Sequence, residues 1–395
     1  MKRSLFYLAL IFITGLNTIT GQETNEPKNL SADVLSKKED KLVFGGYGQV
    51  DFARQFAEDK SMNSTLDVTR LILSMGYSFS EKTSFFTEIE FEHVKELYVE
   101  QAFVNHTFSD FLSFRAGLLL VPMGIINEYH EPTTYNGVKR PSVDNIIVPT
   151  TWREIGFGFT GRFQEQGLKY QVYMMNGFLG HDGTKGLIKG DKYLRDARQK
   201  GAKAVMTSPD FSAKIDYFGI RGLKIGLSGY IGNTESGLYK NLDLTDSQNV
   251  SRADSSIVGM TMAALDARYS TGGLSLRGQF VMSSLSNTQQ YNKLTGNNAA
   301  KSVMGIYGEV AYNLLHSTSS EHRLTPFFRY EKYDTHFKVD PSVVKQDKYN
   351  VSEYVFGIGF TLAEGAVLKA DMQIAKSEAD ATSLKILNAG LGVWF

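Results

Sequence analysis

Runs of alternating apolar and polar residues, separated by turn-forming residues, follow one another from Leu42 to the end of the chain. Successive side chains of an extended strand point to opposite faces, so each run predicts a strand with one apolar face. The pattern favours sixteen strands, although fourteen or eighteen also agree with it. The sixteen predicted strands are Leu42–Ala53, Leu66–Phe79, Ser84–His93, Leu97–Phe108, Phe111–Leu119, Trp152–Phe163, Leu168–Asn176, Phe211–Phe218, Leu223–Ile231, Ile257–Tyr269, Leu274–Met282, Val303–Leu314, Leu324–Lys332, Glu353–Leu362, Val367–Ala375 and Lys385–Phe395.

Charged residues in the clearest of these strands all occupy one face. The other face of each strand carries no charged residue. A charge that faces lipid at the middle of a bilayer costs about 2–4 kcal/mol, whereas a charge that faces water costs little. The sorting therefore indicates apolar surroundings outside and water inside. The charged side chains predicted on the water-filled side are Arg70, Glu88, Glu90, Arg115, Arg162, Arg268, Arg277, Glu309, Arg329, Glu353, Lys369 and Asp371.

Connections between the predicted strands alternate between tight turns and long polar segments. Short turns on one side and long loops on the other are typical of a transmembrane barrel. The last run ends on Trp394 and Phe395, so we expect it to pair with the first strand and to place aromatic rings at the membrane boundary. The pattern predicts an all-β fold, a transmembrane antiparallel β-barrel. A soluble secreted β-sandwich is the alternative, because alternation alone does not say which solvent the apolar face meets.

The beginning of the chain has the organisation of a secretory signal. Lys2 and Arg3 precede the apolar run Leu5–Ile13, and small residues follow up to Gly21. We therefore predict a signal peptide at residues 1–21 and a flexible periplasmic lead-in at residues 22–41. The barrel domain then covers residues 42–395 of a protein exported to the outer membrane.

Composition excludes several classes of function. The chain has 395 residues without cysteine, so it has no thiolate metal site and no disulfide. Lysine plus arginine and aspartate plus glutamate both number 42, so the chain lacks the excess of basic residues that a nucleic-acid-binding protein has. No other run is apolar over the ~18 residues that a membrane-spanning helix needs.

Two local motifs invite a cofactor or metal interpretation. Gly156–Gly161 has the glycine spacing of a dinucleotide site, but its glycines alternate with phenylalanines inside a predicted strand and no helix follows. Glu88, Glu90 and Glu92 stand about 6–7 Å apart along a strand, too far for one tight cation site. We therefore predict no cofactor, no metal and no catalytic residues. A hydrolase built on an outer-membrane barrel stays open as an alternative, because motif absence does not exclude it.

Residues Glu96–Gly124 carry a more specific signal. A strand pair leads into Gly117-x-x-x-x-Pro122-x-Gly124 at the root of the third loop. Tyr135–Pro141 and Ile147–Pro149 follow, and Trp152–Gly156 lies where the next strand starts. This arrangement resembles the phosphate-selective porin O/P family. The resemblance implies a sixteen-stranded outer-membrane channel, a homotrimer, whose third loop folds into the pore. Such a protein is inserted into the lipid bilayer by the barrel assembly machinery.

The resemblance also implies which residues shape the pore. We expect Leu120–Thr151 to narrow a channel for passive diffusion of small polar or ionic solutes, with phosphate and other anions among the candidates. We expect Lys139 and Arg140 to face Glu309, Glu353 or Asp371 across the lumen. The predicted constriction residues are Glu128, His130, Glu131, Lys139, Arg140 and Asp144, and the predicted loop-shaping residues are Pro122, Gly124, Pro141 and Pro149.

Overall fold

The computed structural model describes residues 29–37, 40–56 and 62–395. The predicted signal peptide and the first part of the lead-in lie outside the described residues. Within the described part, the fold is dominated by long antiparallel strands, with one short α-helix before the first strand and three in the connections. These helices are α1 (Leu30–Ser36), α2 (Ser142–Ile146), α3 (Ser247–Asp254) and α4 (Thr288–Thr295). Among the described residues, no helix is long and apolar enough to cross a bilayer.

Sixteen strands form one closed antiparallel barrel, in which each strand pairs with its neighbours in the chain and the last pairs with the first. Tyr47 lies opposite Trp394 and Phe56 lies opposite Lys385, so the two ends of the sheet close as predicted. The strand number and the closure are confirmed. The strands are β1 (Leu42–Phe56), β2 (Ser64–Ser78), β3 (Thr83–Glu92), β4 (Glu96–Ser109), β5 (Leu112–Leu120), β6 (Arg153–Phe163), β7 (Leu168–Met175), β8 (Asp210–Ile220), β9 (Leu223–Asn233), β10 (Gly259–Thr271), β11 (Leu274–Leu285), β12 (Ser302–Tyr312), β13 (Arg323–Lys338), β14 (Asn350–Ala363), β15 (Ala366–Ser377) and β16 (Leu384–Trp394).

The two faces of the wall differ as the sequence pattern predicts. Apolar side chains on the outer face are exposed, for example Ile306 at 45%, Phe356 at 48% and Ile358 at 40%. Charged side chains of the opposite parity, such as Glu309 and Glu353, are buried inside the barrel. Because closure pairs every strand edge, this wall leaves only its apolar side chains for the surroundings.

Connection lengths separate the two ends of the barrel. One end has the tight turns 79–82, 110–111, 164–167, 221–222, 272–273 and 364–365, together with the longer turn 313–322. The other end has the connections 57–63, 93–95, 121–152, 176–209, 234–258, 286–301, 339–349 and 378–383. We refer to these as the turn end and the loop end. In barrels of this kind the turn end faces the periplasm.

Part of the predicted flexible lead-in is an ordered helix. Helix α1 buries Leu30 and Val34, and the backbone N–H of Leu30 donates to Glu131 Oε1, in the connection 121–152, at 2.6 Å. Gly76 of β2 leaves room for the helix, because a Cβ built there would lie 2.4 Å from Val34 Cγ1. The helix forms because Asn29 caps it, accepting from the N–H of Ala32, and because its apolar side packs against the wall.

Gly76→Ala is therefore expected to displace α1. The added methyl overlaps Val34, and overpacking of this kind costs about 1–3 kcal/mol. Limited proteolysis of the detergent-solubilised protein should then cut within residues 29–41 faster than in the wild type. Gly308→Ala is the matched control, since nothing lies within 4 Å of a Cβ at Gly308. Equal cleavage of the two variants would contradict the packing of α1 on Gly76.

Candidate pore constriction

The connection between β5 and β6, residues 121–152, folds into the barrel as the third loop. Gly124 has a φ of +63°, a left-handed conformation that glycine adopts without strain, and it follows the turn begun by Pro122. Asn127 fastens the two ends of the loop together. Its side-chain amide donates to the carbonyls of Val121 and Trp152, while its Oδ1 accepts from the N–H of Trp152. These bonds hold the loop as a closed excursion from the wall.

The first half of the third loop reaches the wall formed by β7, β8 and β11. Lys214 Nζ donates to the Gly124 carbonyl at 2.5 Å and to Glu128 Oε2 at 2.8 Å. Gln171 donates to Glu128 at 2.6 Å, and Gln279 Oε1 accepts from the N–H of Ile125. Side chains of three strands thus satisfy backbone and carboxylate groups that the loop buries.

The second half of the third loop crosses to β13, β14 and β15. The N–H of Val143, in α2, donates to Glu331 at 3.0 Å, and the Ser142 hydroxyl donates to Glu353 at 2.8 Å. Lys369 Nζ donates to the carbonyls of Pro132, Tyr135 and Gly137. The loop is therefore bonded to opposite sides of the lumen, with Pro141 immediately before α2.

The cross-lumen partners of the loop differ from the expected ones. Lys139 Nζ lies 2.7 Å from Asp51 on β1, and one Arg140 Nη donates to the His130 carbonyl within the loop. The acids expected to face these two cations instead accept from Asn136, Ser142 and the N–H of Val138. The sequence pattern gives the inward face of each strand but not the height at which a loop residue meets the wall.

Most of the predicted wall residues are buried beside the loop or beside each other. Arg329 lies 3.2 Å from Glu309 and 2.7 Å from Glu331, and Arg277 lies 3.0 Å from Glu309. Arg277 also donates to the Thr134 carbonyl. This network joins β11, β12 and β13 through charge-assisted bonds.

Three predicted wall arginines lie apart from that network. Arg115 donates to Asn105 and lies over the ring of Phe103, and Arg268 lies 4.5 Å from the Tyr129 ring centroid. Arg162 is exposed near the turn end, where its guanidinium lies 4.0 Å from the ring centroid of Phe218. The remaining pair, Arg70 and Glu90, lies at 3.7 Å on β2 and β3, near Glu88.

Burial changes the ionisation of two carboxyls in the third loop. Burial raises the pKa of Asp144 to about 7, although Gln279 donates to it at 2.7 Å. Burial acts on Glu128 in the same direction, but Lys214 and Lys169 outweigh it and hold the pKa of Glu128 well below its usual range. Glu128 is therefore a fixed negative charge that anchors the loop, whereas Asp144 accepts a proton near neutral pH.

The third loop separates two regions of the lumen. Towards the turn end lies a polar cavity of about 820 Å³, lined among others by Tyr135, Asn136, Arg221, Arg323 and Lys369. On the other side, the loop-end connection 176–209 folds over the third loop.

Two arginines of the connection 176–209 hold it to the third loop. Arg195 donates to the carbonyls of Asn145 and Thr150, and Arg198 donates to those of Pro149 and Thr151. Predicted loop-shaping residue Pro149 is thus an acceptor in this contact. These bonds cover the third loop from the loop end.

Sequence reasoning missed several of these residues. Lys214, Arg195 and Arg198 belong to segments whose partners are more than forty residues away. Glu100 was also missed, and a signal for it exists. Val99 and Val104 are both exposed on the outer face but are five residues apart, so the alternation slips once between them. A slip in parity predicts a bulge, and a bulge redirects a side chain.

Comparisons with known proteins agree with this architecture. No protein-family model matches the chain. An uncharacterized protein of Aquifex aeolicus (strain VF5) is 33% identical over 338 residues, which cover 84% of this chain and 74% of that protein.

Solved structures with the same fold are outer-membrane porins and channels. An anion-selective porin from Comamonas acidovorans matches with a TM-score of 0.58 and 12% identity, covering 90% of this chain and 99% of the porin. The channel DcaP of Acinetobacter baumannii matches at 0.57 and 10%, covering 90% and 97% of the two chains. OprB of Pseudomonas putida matches at 0.55 and 12%, covering 95% and 99%. The chain therefore belongs to the family of the Aquifex aeolicus protein, and its fold is that of the outer-membrane porins.

Proposed function

We propose that the protein is an outer-membrane porin, a channel for passive diffusion of small polar or ionic solutes. The observation that carries the proposal is a third loop bonded to opposite walls of a lumen whose interior is lined by charged side chains. Such a loop narrows a water-filled passage but does not close it. Stepwise conductance of the purified protein in planar bilayers tests the proposal. Lipid or peptide hydrolysis without conductance would favour a barrel hydrolase instead.

We propose further that the channel prefers anions, with phosphate among its solutes, as in the phosphate-selective porin O/P family. The support is a basic cluster on the side of the third loop that faces the loop end of the barrel. The cluster consists of Arg140, Arg195, Arg198 and Lys200. Burial, together with the charges of Arg195 and Arg153, lowers the pKa of Arg198 to about 9. Burial and the charge of Arg140 lower the pKa of Arg195.

Burial is the largest cause of these shifts, and the neighbouring cations of the basic cluster add to it by repelling one another. A group of like charges at the mouth of a narrow passage raises the local concentration of ions of opposite sign. An anion that enters the cluster relieves the repulsion. Glu92 acts against this repulsion at Arg195, Arg198 and Lys200, and Asp196 acts against it at Arg195, so the cluster keeps an excess of cations.

Reversing the charge of two loop residues should change the ion preference of the channel. With Lys139→Glu and Arg140→Glu together, we expect the reversal potential in a salt gradient to shift towards cations, because two exposed or half-buried cations beside the passage become anions. Single-channel recording in planar bilayers measures the shift, with and without added phosphate.

The matched control reverses two exposed lysines outside the third loop, Lys240→Glu with Lys293→Glu. This control changes the net charge by the same amount and should leave the reversal potential near that of the wild type. If both double variants shift it equally, the third loop does not set the selectivity.

We also propose how the channel reaches the outer membrane and how it assembles there. We propose that residues 1–21 direct export and are removed, and that the barrel assembly machinery inserts residues 42–395 into the outer-membrane bilayer. A homotrimer is supported by the trimer form of OmpT of Vibrio cholerae. It is similar to this chain with a TM-score of 0.52 at 10% identity over 90% of this chain and 99% of that one.

A further inference from the structure

Three buried side chains from three different segments meet beside the third loop. Glu88 lies on β3, Glu100 on β4 and His130 in the loop itself. One potential ligand atom from each of them lies within 4.8 Å of those of the other two. All three residues are essentially inaccessible, with exposed fractions of 1%, 0% and 1%. Charged groups are this deeply buried in proteins only when they are paired or bind a cation.

A bulge in the wall directs Glu100 into this cluster. In the pairing of β3 with β4, Glu88 lies opposite Gln101 and Ile89 lies opposite Val99, so Glu100 has no opposite residue. Both Glu100 and its neighbour Gln101 are buried, which regular alternation forbids. Bulges of this kind are enriched next to functional sites, where they redirect a side chain. Gln101 then donates to Glu88 Oε2 at 2.6 Å and orients it.

The hydrogen bonds of His130 leave one ring nitrogen without a donor or acceptor. Nδ1 lies 3.1 Å from the Asn127 carbonyl oxygen, which accepts only, so Nδ1 carries the proton of the neutral ring. In that tautomer the lone pair of Nε2 faces Glu100 Oε2 at 3.6 Å, and Nε2 has no hydrogen-bond partner among the described residues. The Tyr47 hydroxyl donates to the same Glu100 oxygen at 3.4 Å. A ring held by Nδ1–H to a backbone carbonyl is the usual orientation of a metal-binding histidine.

The charges around the cluster do not balance. Within this region the buried carboxylates of Glu88, Glu90, Glu100 and Glu131 lie with the guanidiniums of Arg70 and Arg153, and the half-buried Arg140 donates to the His130 carbonyl. With all four carboxyls ionised and His130 neutral, the sum is one negative charge. Either a proton on Nε2 or a bound cation would supply the missing positive charge.

We propose that Glu88, Glu100 and His130 bind a divalent first-row transition-metal ion such as Zn²⁺. One imidazole nitrogen with two carboxylate oxygens suits ions that accept mixed nitrogen and oxygen ligands, whereas Mg²⁺ and Ca²⁺ favour oxygen alone. Metal–ligand bonds of about 2.0–2.2 Å place ligand atoms roughly 3–3.5 Å from one another. Side-chain movements of about 1 Å bring the three atoms to that spacing.

The bound ion would fasten the third loop to the barrel wall. His130 belongs to the loop, whereas Glu88 and Glu100 belong to adjacent strands of the wall. Next to His130, Glu131 accepts from the N–H of Leu30, so helix α1 contacts the third loop beside the proposed metal site. Metal binding is measured without any current, so its presence or absence is independent of the channel function.

Zinc binding by the folded barrel tests the proposal. The detergent-solubilised protein is freed of metal by dialysis against EDTA and is then titrated with Zn²⁺ against a chromophoric chelator. We expect one Zn²⁺ per chain and little competition from Mg²⁺. Loss of groups that merely orient a ligand costs about 10–100-fold in affinity, so loss of a ligand in His130→Gln or Glu100→Gln should cost at least about 100-fold. X-ray absorption should show nitrogen and oxygen neighbours, including one imidazole.

His93→Gln is the matched control, because His93 also lies beside two carboxylates, Asp67 and Glu92, but is exposed. It should leave zinc affinity unchanged. Heat-modifiable gel mobility identifies variants that have folded, and the wild-type stoichiometry needs no variant. A wild-type protein that retains no zinc, or equal loss in His93→Gln and His130→Gln, would overturn the proposal and leave His130 as a protonated partner of Glu100.

Discussion

Ile358→Arg is expected to prevent the barrel from assembling in the outer membrane. Ile358 lies on the exposed apolar face of β14, near the middle of the strand. An arginine that faces lipid at the bilayer midplane costs about 2–4 kcal/mol, a large fraction of the stability of a typical domain. We expect most of the variant to be absent from the outer-membrane fraction and to lack heat-modifiable mobility on gels.

Gln373→Arg provides the matched control on the next strand. Gln373 faces the interior, where its side chain donates to Glu353 at 2.8 Å. An arginine there meets a carboxylate and the aqueous lumen, so we expect wild-type assembly. A variant with Ile358→Arg that assembles as well as Gln373→Arg would show that the face assigned to lipid is the wrong one.

Lys214→Met is expected to destabilise the barrel and loosen the third loop. Lys214 is buried and is the cation closest to Glu128, while Asp216 and Asp266 lie 3.9 Å from it. Removing one partner of a buried ion pair leaves an uncompensated charge and costs about 3–5 kcal/mol. The loss should appear as a lower urea midpoint for unfolding in detergent micelles, and channels formed by the variant should show a raised, fluctuating conductance.

Lys169→Met tests whether the burial of Lys214 is the reason for the expected destabilisation. Lys169 lies 3.8 Å from the same carboxylate, but more than a quarter of its side chain is exposed to solvent. Pairs of that kind contribute about 0–1 kcal/mol, so we expect a small change in the urea midpoint. Equal destabilisation by the two methionine substitutions would mean that the anchoring of the loop does not depend on the buried contact.

The sequence predicts the wall well, because a barrel wall is a local pattern repeated many times. The outer face must be apolar in lipid and every strand alternates, so Ile306 or Ile358 can be assigned from a few neighbouring residues. Closure follows from the same rule, since a wall in lipid cannot leave a strand edge unpaired. Strand ends shift by a few residues where turns and loops begin.

The contents of the lumen are less predictable. Contacts such as Lys214 with Glu128 depend on the strand register around the whole barrel and on the path of one loop. Nothing near Lys139 in the chain indicates that Asp51, 88 residues away, would be its partner. Helix α1 was not predicted, because a segment of seven residues is helical only where Leu30 and Val34 find a surface to pack on.

The attachments of the third loop also bear on how a solute passes. Anchors on β1, β8 and β15 turn the loop into a strut between facing sides of the cylinder. Swinging it aside would break several short contacts in a single step. Under the proposed channel function, we therefore expect solutes to pass beside the third loop rather than to displace it.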